Sequence, residues 1–143
     1  MDDPYANVSG KVKAVISNYG IFDMVQQWNH DVLTRPRDNI VEKYLGAAPM
    51  DNRKLYFDAS PMSYVQADNN ATAFLMAHGT EDDIVDRAQS DAFLLALKQA
   101  RNPAFHYIAT GAAHGWNSEP IGEPASYTSD YAPRVLRFLQ SRL

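Results

Sequence analysis

The chain has 143 residues, 45% of them hydrophobic and 21% charged, with a formal charge of −4 and an isoelectric point near 5.4. That length suits a single domain over residues 1–143, and the acidic balance argues against nucleic acid as a partner, because phosphate binding draws on clustered Lys and Arg. The lack of cysteine removes disulfides, thiolate metal sites and a Cys nucleophile. No stretch approaches the roughly 20 apolar residues of a membrane span. Met1-Asp2-Asp3-Pro4-Tyr5 has no apolar core of the secretory kind, so a cytoplasmic location is expected.

Residues 1–10 are polar and read as a lead-in. Lys11–Asn18 is a β-rich run, stopped by Tyr19-Gly20 and read as a strand buried on both faces towards its end. Residues 21–60 are the least regular part and form a helical insert. Phe22, Val25, Trp28 and Val32 fall at helical spacing, and Pro36 ends that helix by disfavouring it at the residue before. Ile40–Leu45 makes a further turn or two, closed by Gly46 as a C-cap, and Asp51–Asp58 forms a third piece before Ala59-Ser60-Pro61.

Thr72–His78 is the expected central strand. The helix after it is expected to open at Asp86 with Gln89 in capping-box spacing. Ala88, Ala92, Leu95, Ala96 and Gln99 should trace its inner face, widened by Phe93, Leu94 and Leu97. Pro103–Ala109 is a third strand, Asn117–Tyr131 reads as loop, and a last helix opens at Pro133 and buries Val135, Leu136, Phe138 and Leu139. Strands alternating with helices predict an α/β fold of about three parallel strands with right-handed crossovers and flanking helices. The outer edge of the first strand is then an unpaired row of backbone groups.

In open α/β sheets, functional groups collect at the carboxyl ends of strands. Two stretches occupy such ends here: His78-Gly79-Thr80-Glu81-Asp82, and Gly111-Ala112-Ala113-His114-Gly115-Trp116. Together with Tyr44-Leu45-Gly46 and Ala59-Ser60-Pro61-Met62-Ser63-Tyr64-Val65, they resemble the C-terminal half of α/β-hydrolase-fold esterases. The likeness is to the acetyl-esterase and carbohydrate-esterase branch, and also to prolyl-oligopeptidase-like hydrolases. It runs over nearly the whole chain from Lys11. It implies a truncated α/β-hydrolase-like three-layer unit, with Lys11–Gly20 as the sixth strand and 21–60 as the cap region.

The resemblance makes Asp82 the triad acid and His114 the triad base. These roles suit an imidazole base whose tautomer a carboxylate fixes. A Gly-x-Ser-x-Gly elbow, which carries the family's nucleophile ahead of the sixth strand, is not matched; Ser9-Gly10 lacks the first Gly. Tyr19 and Trp116 are candidate substrate contacts that can equally be core. His78 reads as structural beneath the strand end, His106 as solvent-facing or satisfied within the strand alternation, and His30 as a surface residue near a helix end. The Glu81-Asp82-Asp83 and Asp86 cluster has no Ca²⁺-loop spacing, and Asp86 reads as a helix cap.

Three functions follow. One is ester hydrolysis of a small substrate, with the nucleophile from a missing N-terminal half or from Ser17, Ser60 or Ser118. Another is hydrolysis by water activated on a divalent metal such as zinc at an Asp82/His114 site in a dimer, with His78 as a candidate further ligand, although no cofactor is expected under the first reading. The last is a non-catalytic binding module that pairs as a homodimer through the first strand's edge.

Overall fold

The computed structural model describes residues 4–67, 71–118 and 126–142. Its three strands, β1 (Ala14–Asn18), β2 (Ala73–Gly79) and β3 (Ala104–Ala109), form a parallel sheet in that order. The register sets Ser17 beside Met76 and Met76 beside His106. β2 is central because it is apolar on both faces: Met76, Ala77 and His78 are fully buried. A strand covered on both sides reads as one continuous apolar run. The expected parallel α/β arrangement is therefore present, with β1 starting at Ala14 rather than Lys11 and both β1 and β3 lying at edges.

Alternation along β2 divides the interior in two. Ala73, Leu75 and Ala77 join Tyr107 and Ala109 under helix α5 (Tyr127–Gln140), whose Tyr131 and Phe138 complete that layer with Trp116. Phe74 and Met76 face the opposite layer, where α4 (Ala88–Gln99) supplies Phe93 and Leu97. Phe93 also stacks on Phe22, ring centroids 4.2 Å apart, which fixes the start of the insert against this face.

The insert folds as α1 (Met24–Thr34), α2 (Ile40–Leu45) and α3 (Arg53–Ala59), followed by a 3₁₀ turn at Pro61–Tyr64. Asp23, Asn39 and Asn52 cap the three helices with side-chain oxygens, as short polar residues at such ends do. Gly46 closes α2 at φ 76°, a left-handed conformation that costs glycine little.

Four expectations about the helices are corrected. In α1 the buried residues are Gln27 and Asp31, while Val25 and Val32 are exposed, because this face meets a loop rich in backbone carbonyls. In α4 the inner face is Gln89, Ser90, Phe93 and Leu97, with Leu95 turned to solvent. The capping box is absent: Asp86 Oδ1 accepts from Ala88 N, but Gln89 reaches away to bond Phe22 N, Asp23 N and Asp23 O. Finally, α5 opens at Tyr127 with Ser126 as its cap, so Pro133 lies inside it and Leu136 is exposed. Tyr127, Tyr131, Val135 and Phe138 form the packed stripe, and their aromatic burial outweighs the helix-breaking tendency of Pro133. Part of the expected loop at Asn117–Tyr131 lies outside the described residues.

Candidate active site

β2 ends at Gly79, where the chain after β3 passes so close that a Cβ would stand 2.1 Å from the Ala112 carbonyl oxygen. Only glycine fits that approach. The contact is secured by Glu81 N donating to Ala112 O and by Gly111 N donating to Thr80 Oγ1. Two loops from separate strand ends are thereby locked side by side, one carrying Asp82 and the other His114.

Asp82 has a fully buried side chain, and His114 is partly open to solvent. Asp82 Oδ2 lies 2.8 Å from His114 Nδ1. An ionised carboxylate only accepts, so Nδ1 carries the proton and Nε2 keeps its lone pair. Nε2 is bonded to no described residue. The other oxygen, Asp82 Oδ1, accepts from Ile84 N at 3.0 Å and Val85 N at 2.9 Å, which fixes the carboxylate's rotation. The ring of Tyr19 lies against His114 with centroids 4.4 Å apart. Tyr19 itself adopts φ 43°, and its hydroxyl donates to Asn117 Oδ1 at 2.6 Å. An L-residue in the left-handed region is strained, and strain of this kind gathers at functional sites.

The acid loop is held from below by residues that hydrophobic periodicity does not reveal. His30 Nε2 bonds the Asp83 carbonyl at 2.9 Å. Gln27 Nε2 and Arg35 both donate to the Ile84 carbonyl, at 2.8 and 3.1 Å. His78 Nε2 bonds the Val85 carbonyl at 2.8 Å. Three successive carbonyls are thus capped by side chains. Asp31, fully buried, organises this grip by accepting from Gln27 and Arg35 on Oδ1 and from Ile40 N and Val41 N on Oδ2. The polar inner face of α1 exists because buried carbonyls need donors. The signal available in the sequence was a buried-face spacing of polar residues at 27, 31 and 35.

The remaining sequence candidates are placed as follows. Trp116 is not at the pair; it is 4% exposed and packs edge-on against Tyr131 in the α5-side core. His106 is neither solvent-facing nor satisfied: its Nδ1 is 3.6 Å from Asp91, and its buried Nε2 has no partner among the described residues. Burial holds its pKa below the ordinary histidine value, offset in part by the Asp91 charge. Ser60 is spent on Met24 N and Tyr56 O within the insert. No described serine is hydrogen-bonded to His114. His78 has both ring nitrogens engaged, with Ser90 and Val85, and so is not free as a third metal ligand beside Asp82 and His114. Among the described residues no three His, Asp or Glu side chains are grouped to hold a metal. No described helix is long and apolar enough to cross a membrane.

The chain is similar to known proteins. The BD-FAE family matches residues 2–97, about two thirds of the chain, including the acid loop. The chain belongs to the BD-FAE family. Its relatives include Esterase LipQ of Mycobacterium tuberculosis (strain ATCC 25618 / H37Rv), 33% identical over 104 residues, or 72% of this chain and 24% of LipQ. The uncomplexed acylaminoacyl peptidase of Pyrococcus horikoshii superposes with TM-score 0.73 at 23% identity over 97% of this chain and 22% of its own. An acetyl ester-xyloside bifunctional hydrolase from Caldicellulosiruptor lactoaceticus gives TM-score 0.73 at 19% identity, covering 99% of this chain and 46% of that one. At these identities the two structures report fold alone. The likeness to α/β-hydrolase esterases read from the motifs is borne out. This BD-FAE chain spans about a quarter of the length of LipQ and of the Pyrococcus peptidase.

Proposed function

We propose that the chain is the acid–base half of a serine-type carboxylic ester hydrolase, with Asp82 as triad acid and His114 as triad base. The observation that carries this reading is the 2.8 Å hydrogen bond from His114 Nδ1 to Asp82, with Nε2 left as the outward lone pair. In the reaction, Nε2 takes the proton of an approaching serine hydroxyl as its oxygen bonds the ester carbonyl carbon. Asp82 stabilises the imidazolium, which returns the proton to the leaving alkoxide; water repeats the sequence on the acyl-enzyme. The serine and the oxyanion donors come from polypeptide outside these residues, in line with a family whose nucleophile precedes the first strand of this chain. Tyr19, packed on His114, is the substrate-side wall of the site.

The test is active-site labelling with a fluorophosphonate. The chain alone should not label. Combined with a Gly-x-Ser-x-Gly-bearing segment, it should give labelling on that serine, and both labelling and ester turnover should fall at least about a thousandfold in His114→Ala. Stoichiometric labelling of the chain alone would place the nucleophile within it. Turnover indifferent to His114→Ala would end the proposal.

One observation supports strand addition as part of the same reading. All five residues of β1 are only half-buried, although Ala14, Val15 and Ile16 are apolar, and its outer edge is unpaired among the described residues. A further strand, from the complementing segment or from a second copy, covers it. Light scattering at micromolar concentration separates these: a lone chain that stays monomeric removes the homodimer and leaves the complementing segment.

A further inference from the structure

Asp82 Oδ2 faces two imidazoles. His114 Nδ1 approaches it at 2.8 Å from the solvent side, and His78 Nε2 at 3.3 Å from within. His78 and Ser90 are both 0% exposed, and Ser90 Oγ lies 2.7 Å from His78 Nδ1. Ser90–His78–Asp82 therefore imitates a catalytic triad, but with no route for substrate to Ser90. Another role is needed for a buried titratable group that the acid–base step does not use.

The protons on the His78 ring follow from its partners. The Val85 carbonyl, 2.8 Å from Nε2, can only accept, so Nε2 carries hydrogen. In the neutral ring Nδ1 is then an acceptor, and the Ser90 hydroxyl is its donor. Every polar atom of the ring is satisfied in this one tautomer. At His114 the opposite holds, since Nδ1 carries the hydrogen. The two rings thus stand in opposite tautomers: His114 donates Nδ1–H to Asp82 Oδ2, whereas the Nε2–H of His78 goes to the Val85 carbonyl and lies 3.3 Å from that oxygen without bonding it.

We infer that His78 is a positioning residue: locked by Ser90 in its Nε2–H tautomer, it holds the Val85 carbonyl, and Val85 N in turn donates to Asp82 Oδ1, so that Asp82 Oδ2 is left to meet His114 Nδ1. This rests on reading Asp82 and His114 as acid and base. The lock acts on the acid, and through it on the base, without touching substrate.

Nitrogen-15 NMR of histidine-labelled protein reads both tautomers directly. The intact chain should show His78 as Nε2–H and His114 as Nδ1–H. His78→Gln, which keeps a donor near the Nε2 position, should preserve the His114 signature. His78→Leu should lower the Nδ1–H to Nε2–H ratio of His114 about tenfold, because Val85, and with it the Asp82 carboxylate, loses the hydrogen bond that fixes it, and one such bond is worth about that factor. Should His78→Leu not fold, Ser90→Ala decides, with an expected drop of about twofold to threefold as His78 Nδ1 loses the hydrogen bond that sets its tautomer. His78 found as Nδ1–H, or an unchanged His114 ratio in folded His78→Leu or in Ser90→Ala, overturns the inference. Turnover is not read in this experiment. A complemented chain that labels normally while His114 ignores His78→Leu defeats this inference alone; a chain that shows the expected tautomers and never labels defeats the hydrolase reading alone.

Discussion

The two loops that meet at the Asp82–His114 hydrogen bond are held by different means. The acid loop is gripped side chain by side chain: His30, Gln27 with Arg35, and His78 take its carbonyls at Asp83, Ile84 and Val85, while Asp82 itself takes two of its N–H groups. The histidine loop relies on backbone proximity. It leans on Gly79, hangs from Glu81 N and Thr80 Oγ1, and is backed by the aromatic layer around Trp116. Under the proposed roles, a carboxylate must be fixed to act through another group, whereas a base has to reach a substrate. The two kinds of constraint are those such a pair would need.

The largest effect should come from cutting the grip at its root. Asp31→Ala strands Gln27, Arg35 and two α2 amides in a buried setting, and should cost about 3 kcal/mol or more in denaturant unfolding. Gly79→Ala attacks the other loop by forcing a methyl onto the Ala112 carbonyl. About 2–3 kcal/mol is expected, as for other overpacked sites, with amide exchange speeding up first over residues 110–116. Should exchange instead rise first over residues 82–86, the two loops are not held independently. Gln27→Leu removes one of the two donors on Ile84 O and should cost about 1 kcal/mol, since Arg35 remains.

The smallest effect is a pH dependence outside both loops. His106 has a folded pKa held below its ordinary 6.5 by burial. The unfolded chain therefore binds the proton first as pH falls. The stability from the neutral ring is complete above the unfolded value and is lost below it, down through the folded pKa. His106→Phe should flatten the melting temperature between about pH 6.5 and 5. An unaltered slope would assign the acid sensitivity to other groups. At the alkaline end, burial and then the Asp130 hydrogen bond push Tyr107 up to about 12, so its contribution declines above its ordinary value of 10.

The sheet was legible in the sequence because a central parallel strand is written as uninterrupted apolar residues, as Ala73–Ala77 is. The spacing of Gly79 and Asp82, and of Gly111 and His114, was legible because strand-end motifs keep local order. The buried face of α1 was not, since periodicity looks for apolar stripes and this one is Gln27, Asp31 and Arg35, serving carbonyls that only the fold brings near. Gln89 misled for a related reason. Its spacing suits a local cap, but its side chain reaches the amides of Phe22 and Asp23 instead. Trp116 beside His114 in sequence read equally as a substrate contact or as core, and the turn at Gly115, φ 77°, sends the indole inward.

The polar underside of α1 has a mechanical consequence. A cap that swings open on a hinge needs an inner surface that parts cleanly from what it covers. Lifting α1 would instead strip the Asp83 and Ile84 carbonyls of their donors and expose the Asp31–Arg35 ion pair in one motion. The insert is better described as a bracket than a door.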